Sequence, residues 1–269
     1  LPVTAEEGFA ALPEPSPGDL FFDIEGDPYA FDEGLEYLLG VADVDGEFQA
    51  FWALDLEEEK SRFEEFIDYV IARVDRYPDM HVYHYAAYEQ TAIKRLAGRH
   101  ATREDEVDRL LRGGVLVDLY RVVRQGLRAS VESYSIKKME PFYDFGREED
   151  IRTANAALAD FEAWLELGSE GQQDRTLLDS IEAYNRDDCI STRALRDWLE
   201  ARREDWAEMK GEGLPRIRER EEPETSEPSE AEALASELLD GIPDDPGERT
   251  KEQAAVALAA HLLDWHRRE

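Results

Sequence analysis

Two acids set into an apolar run are the first residues in the chain whose types and spacing point to chemistry: Asp23 and Glu25, within Leu20-Phe21-Phe22-Asp23-Ile24-Glu25-Gly26-Asp27. Side chains alternate along a strand, so both acids share one face while Phe22 and Ile24 fill the other. Neighbouring carboxylates raise each other's pKa unless a cation lies between them. Oxygen-only ligands favour a hard divalent ion such as Mg²⁺ or Mn²⁺. The plainer alternative is an edge strand whose acids face solvent, with Gly26 and Pro28 forming a turn. A second group is Tyr184-Asn185-Arg186-Asp187-Asp188 inside a long helical pattern. Tyr184 and Asp188, four apart, share a helix face, and Asp187 is rotated away. On the plain reading, Asp187 and Asp188 are ordinary surface acids. The third group is Tyr88-Glu89, where Glu89 serves either as an acid beside a helix N-terminus or as a functional group just past a strand end.

These residues need elements to carry them. Leu35 to Val44 and Glu47 to Ala53 read as strands joined by Asp45-Gly46, a strong hairpin signal, so the first three strands form an antiparallel meander. From Glu57 to Arg76 the apolar residues recur at spacings of three and four, which predicts an amphipathic helix ending before Pro78. Met80 to Tyr85 reads as a fourth strand, Tyr88 to Arg99 and Glu104 to Arg112 as helices, and Val115 to Asp118 as a fifth strand handing over to a helix at Leu119 to Leu127. Asp118 sits at that hand-over as a helix N-cap. Ile136 to Phe142, 151–168 and 174–203 complete the helical patterns. The expected fold is α/β: a central mixed five-stranded sheet flanked by helices.

The expected organisation is an extended lead-in over 1–18, one domain over 19–205, an acidic linker over 206–250 and a further helix over 251–269 that includes Trp265. Between Glu219 and Glu248 there are twelve acids against one base, interrupted by Pro223, Pro228, Pro243 and Pro246, and too few large apolar residues to offset ordering entropy. The chain opens on Leu1-Pro2-Val3, which reads as a segment of a longer polypeptide. With 31 Lys and Arg against 64 Asp and Glu, the formal charge of −33 repels nucleic acids and membrane surfaces at long range. A single cysteine, Cys189, excludes an internal disulfide framework and suits a reducing cytoplasm. No apolar run approaches membrane-spanning length.

Taken together, Asp-x-Glu on the first strand, an acid preceded by an aromatic after the fourth, and Tyr-x-x-x-Asp on a late helix resemble the DEDD exonuclease superfamily of the ribonuclease H-like fold. The stretches FFDIEGDPY, YHYAAYEQTAIKRL, VDLYRVVR and YNRDDCIST resemble the YprB-type ribonuclease H-like domain of predicted RecB-like nuclease and helicase proteins. The resemblance implies a 3′–5′ exonuclease acting on single-stranded DNA or RNA, with two divalent ions held by Asp23, Glu25, Glu89 and Asp188. Tyr184 would orient the attacking water, as in the tyrosine subclass; Ala183 stands where the histidine subclass has its histidine. It also implies a role in DNA repair or processing beside a helicase module of the parent protein. The family usually has Asp where this chain has Glu89.

Against the overall charge, Gln90 to Glu140 holds eleven Lys and Arg and seven acids, a local basic stretch. Lys94, Arg95, Arg121, Arg124, Lys137 and Lys138 are the candidate phosphate contacts, with Tyr85 and Tyr134 as candidate stacking surfaces. Two other readings stay open. One is a catalytically weak or inactive module that docks nucleic acid or a helicase. The other is a haloacid-dehalogenase-type phosphohydrolase, from the loose Asp-x-Glu-Gly-Asp opening and the late pair Asp187-Asp188, with Asp23 as nucleophile.

Overall fold

A computed structural model describes residues 7–148, 151–167, 175–216, 230–243 and 249–263. Its centre is β1 (Leu20–Asp27), flanked by β2 (Leu35–Asp43), with β3 (Phe48–Trp52) at one edge and β4 (Val82–His84) and β5 (Leu116–Asp118) on the other side, in the order β3-β2-β1-β4-β5. The first three strands are antiparallel, while β4 is parallel to β1 and β5 to β4. This is the mixed sheet expected from the sequence. The turn between β2 and β3 is closed by the Asp43 carboxylate, which accepts from the Asp45 and Glu47 N–H groups, with Gly46 at φ +88°. β1 bulges between Glu25 and Gly26. A side chain on Gly26 would run into the Glu36 carboxylate and force it aside.

Helices cover both faces. On one, α1 (Leu56–Arg76) starts at Asp55, whose carboxylate accepts from the N–H groups of Glu57 and Glu58. Its stripe of Phe63, Phe66, Ile67, Val70 and Val74 packs on Phe22, Ile24 and Val41, with Phe22 and Phe66 stacked at 4.6 Å. α2 (Tyr88–His100) and α3 (Glu104–Arg112) extend this layer through Ile93, Leu96, Val107 and Leu110. Toward the other face turn Phe21 and Tyr83, which meet α4 (Leu119–Gly126), α5 (Ile136–Met139) and a long helix, α7 (Arg175–Lys210). Asp118 caps α4 by accepting from Tyr120 N–H. α6 (Ile151–Leu167) packs against α7 and buries Phe161 on Tyr37.

α7 is fixed to the sheet at three heights. At its middle, Cys189 donates to the Gly40 carbonyl at 3.3 Å and Asn185 lies so near Gly40 that a β-carbon there would overlap the amide oxygen. Further along, Arg196 pairs with the fully buried Asp19 at 2.6 Å and lies over the rings of Phe21 and Tyr83. Toward its start, Glu182 accepts from the Trp52 indole. The helix runs through Lys210, beyond Asp205. Residues 220–269 form a separate compact unit in which α8 (Glu230–Leu239) packs with α9 (Lys251–Leu262), the latter started by a Thr250–Gln253 capping box. Within the expected linker over 206–250 the structure therefore has the end of α7 and all of α8, while 217–229 and 244–248, with Pro223, Pro228 and Pro246, lie outside the described residues, as does Trp265.

The Gly40 contact is testable. Gly40→Ala must displace the Asn185 amide that donates to Asp23, and an overpacked contact of this kind costs about 1–3 kcal/mol. The variant is expected to melt several degrees below wild type in a thermal scan. A Tm equal to wild type would mean that the Asn185 amide swings aside without cost, so that this contact does not hold α7 on β2.

Candidate metal centre

The centre is assembled from residues far apart in sequence. Asp23 and Glu25 project from β1 on the face opposite Phe22 and Ile24, and α7 crosses that face with Tyr184 and Asp188 directed at them. One carboxylate oxygen each from Asp23, Glu25 and Asp188 lies within 4.8 Å of the others; among the described residues this is the one group of three or more candidate ligands that converges so closely. The three acids form part of the wall of an open cleft of about 240 Å³, shared with Ile24, Tyr85, Ile136, Lys137, Tyr184 and Thr192.

Burial and mutual repulsion dominate the electrostatics. Desolvation, then the charges of Asp188, Glu25 and Glu89, hold the Asp23 carboxyl well above its usual range. Burial and Asp188 push Glu25 from 4.5 up to about 8, opposed by Lys137. Asp188 is also raised by burial, while Arg147 pulls it back. The Asn185 side-chain N–H donates to Asp23 at 2.9 Å. Three acids that disfavour their own ionisation, all with oxygen donors, fit a hard divalent cation. Tyr184 accepts a hydrogen bond from the Lys137 ammonium, which leaves its own O–H to donate elsewhere, and burial pushes that phenol up.

Glu89 stands slightly apart. It lies at the first turn of α2, buried, with an oxygen 3.4 Å from Nδ1 of His84, and its charge acts on Asp23, but it is outside the group of three. One of its oxygens is buried with no hydrogen-bond partner, which leaves acceptor capacity for a cation. His84 in turn donates from Nδ1 to the Ala86 carbonyl at 2.7 Å, which assigns the tautomer.

Of the candidate phosphate contacts, Lys137 alone lines the cleft. Lys94 and Arg121 are exposed, Arg95 pairs with Glu36, Arg124 lies over Tyr120, and Lys138 is 3.4 Å from Glu132. Tyr85 borders the cleft, whereas the Tyr134 hydroxyl accepts from Ala129 N–H and its carbonyl from Tyr85. Three residues at the centre were not singled out from the sequence: Asn185, Arg147 and Glu140. Asn185 was legible as the neighbour of Tyr184 in the same helical stretch. Arg147 lies in a short polar loop and carries no local signal. Asp187 is not a surface acid: it is buried and accepts from Glu148 N–H at 2.9 Å.

A family model described as the RNase H superfamily matches residues 20–200, more than half of the chain. The chain belongs to the RNase H superfamily. This membership supports a nucleic-acid hydrolase that uses divalent metal, and the match spans every residue of the acid cluster. No curated protein and no solved structure matches the chain significantly. The haloacid-dehalogenase reading gains nothing here, since Asp187 and Asp188 sit within α7 and not at a strand end. No described helix is long and apolar enough to cross a membrane.

The raised Glu25 fixes a sign. A carboxyl whose folded pKa exceeds its unfolded value costs no stability below the unfolded value, and its cost grows as pH rises toward the folded one. In metal-free protein, Glu25 therefore destabilises increasingly from pH 4.5 to about 8. The net charge acts in the same direction, so the comparison is with Glu25→Gln. As pH rises through that window, the stability difference is expected to move in favour of the variant by about 2–4 kcal/mol at 1.4 kcal/mol per unit, discounted for coupling. Denaturant melts at several pH values measure it, and a pH-independent difference would show that Glu25 ionises freely.

Proposed function

We propose that the RNase H-like domain is a metal-dependent nuclease that shortens single-stranded DNA or RNA from the 3′ end. In this reading it is a module of a larger DNA-processing protein that includes a helicase. The observation that carries the proposal is the convergence of Asp23, Glu25 and Asp188 on one cleft. The order of the motifs, with Tyr184 four residues before Asp188 on α7, favours the tyrosine subclass of the DEDD exonucleases.

Asp23, Glu25 and Asp188, with Glu89 alongside, would hold two ions, Mg²⁺ or Mn²⁺. Bound divalent ions would supply an activated water and neutralise the charge that develops on the phosphodiester. The rest falls to the chain itself. Lys137 places an ammonium at the cleft wall, where it can meet a phosphate oxygen, and it fixes the Tyr184 hydroxyl by donating to it. The free phenolic proton then points a hydrogen bond at a water or phosphate oxygen. Tyr85 offers a ring at the cleft edge, held by its own hydrogen bond to the Tyr134 carbonyl and by Tyr120 at 5.5 Å. A second reading, a weak or inactive docking module, is favoured by the position of Glu89 outside the close group.

The test uses 5′-labelled single-stranded DNA and RNA with Mn²⁺ or Mg²⁺ at low salt. A ladder of shortening labelled products is expected. Asp23→Ala and Asp188→Asn should lower the rate by about 100-fold or more, and Tyr184→Phe by about 100-fold with metal binding retained, the scale on which single electrostatic groups act. Internal cuts without a ladder would overturn the end-directed mode. Folded protein that cleaves with neither ion would make the docking module the better reading.

A further inference from the structure

We propose that Arg147 is the positioning residue of Asp188: clamped on Glu140, its guanidinium fixes which oxygen of Asp188 faces the cleft and thereby sets the affinity of the acid cluster for a divalent cation. This rests on the metal-nuclease reading above and assigns a role within that site. Arg147 Nη2 is 2.7 Å from Asp188 Oδ1 and 2.5 Å from Glu140 Oε1, and Nε donates to Glu140 Oε2 at 3.2 Å. The Arg147 side chain is 6% exposed and that of Asp188 11%, so the pair sits where water screens it little.

The clamp is itself braced. Ser191 Oγ donates to Glu140 Oε1 at 3.0 Å, the Tyr143 hydroxyl bonds Ser191 Oγ at 2.9 Å, and Glu148 N–H donates to Asp187. Three side chains of the 140–148 segment, Glu140, Tyr143 and Arg147, and the Glu148 backbone thus grip one turn of α7, from Asp187 to Ser191. That turn carries the third acid of the cluster. The same guanidinium lies 5.5 Å from the centre of the Tyr184 ring, so one group touches both the ligand and the aromatic beside it. With Oδ1 engaged by Arg147, Oδ2 is the oxygen left for a cation. Hydrogen-bonded partners of metal-binding carboxylates orient them in this way. A planar fork meeting two carboxylates is beyond the geometry of lysine, a single point charge on a flexible stem, so Lys at this position keeps the charge and loses the orientation.

The experiment is a Mn²⁺ titration of the whole chain, following free Mn²⁺ by electron paramagnetic resonance at low salt, with thermal unfolding recorded on the same samples. Asp188→Asn serves as the site control. Arg147→Lys is expected to weaken Mn²⁺ binding about 10–100-fold, the range found for outer-shell partners, and Glu140→Gln to shift it in the same direction. A lowered Tm in Arg147→Lys with Mn²⁺ affinity unchanged would mean a structural brace only, and the proposal fails. Tighter Mn²⁺ binding by Arg147→Gln would make the guanidinium a competitor of the ion, which also overturns it. If Arg147→Lys does not fold, Glu140→Gln decides by the same criterion. Wild-type protein that binds no Mn²⁺ sinks the metal reading itself, whereas wild-type binding with an unchanged Arg147→Lys sinks the Arg147 assignment alone.

Discussion

Three carboxylates held within 4.8 Å of one another repel, and the fold has to oppose that repulsion with contacts made elsewhere. Two of them come from β1, the central strand of the sheet, held on both sides by β2 and β4. The third comes from α7, a helix of 36 residues that would be free to drift off the sheet if only Asp188 met the cluster. The Asp19–Arg196 pair prevents this. It is a buried ion pair in which Asp19 also accepts from the N–H groups of Ser16 and His81, so both of its carboxylate oxygens are engaged. Removing one partner of such a pair costs about 3–5 kcal/mol, because the other is then left buried and unpaired.

The absence of a side chain at Gly40 is the complement of that anchor. Asn185 fits where a β-carbon would be and reaches Asp23 with its amide, so the helix sits low enough on the sheet for Asp188 to join the two acids of β1. The cations come from one place. Lys137 and Arg147 both lie in the segment between α4 and α6, one acting on the Tyr184 hydroxyl and the other on Asp188. The chain as a whole carries −33, yet the acid cluster is flanked by two positive side chains delivered by a single connection. Long-range repulsion of a nucleic-acid strand and short-range attraction at the cleft therefore coexist, and the second must be felt within about 10 Å at ordinary salt.

The sheet was legible because its signals are local: the period of two around Asp23 and Glu25, the Asp45-Gly46 turn, and the change to a period of three and four from Glu57 onward. The site was legible where a motif and an element coincide, as with Tyr184 and Asp188 one helical turn apart. Glu89 illustrates a limit. Its place in the chain marks it as a partner of the other acids, but only the packing shows it beside His84 and outside the close group. Arg147 and Glu140 were not legible at all. Their role follows from how an irregular connection folds back on α7, and no periodicity encodes that. For the candidate phosphate contacts the sequence supplies the charge but not the reach, and it is the packing that puts Lys137 at the cleft.

Glu89 owes its position to a strained turn. Between β4 and α2 the chain passes through Ala86 at φ +85°, a conformation that costs a non-glycine residue of order 1–3 kcal/mol. The turn persists because its polar groups are taken: Asp118 accepts from Ala86 N–H at 2.9 Å, and His84 donates to the Ala86 carbonyl. Asp118 also caps α4, so a single carboxylate at the end of β5 fixes the start of one helix and the approach to another. A relaxed turn would start α2 with a different rotation and swing Glu89 away from Asp23. The strain is therefore located at the residue whose geometry decides whether the fourth acid reaches the cluster, and the hydrogen bonds that maintain it come from β4 and β5, next to the strand that carries the first two acids.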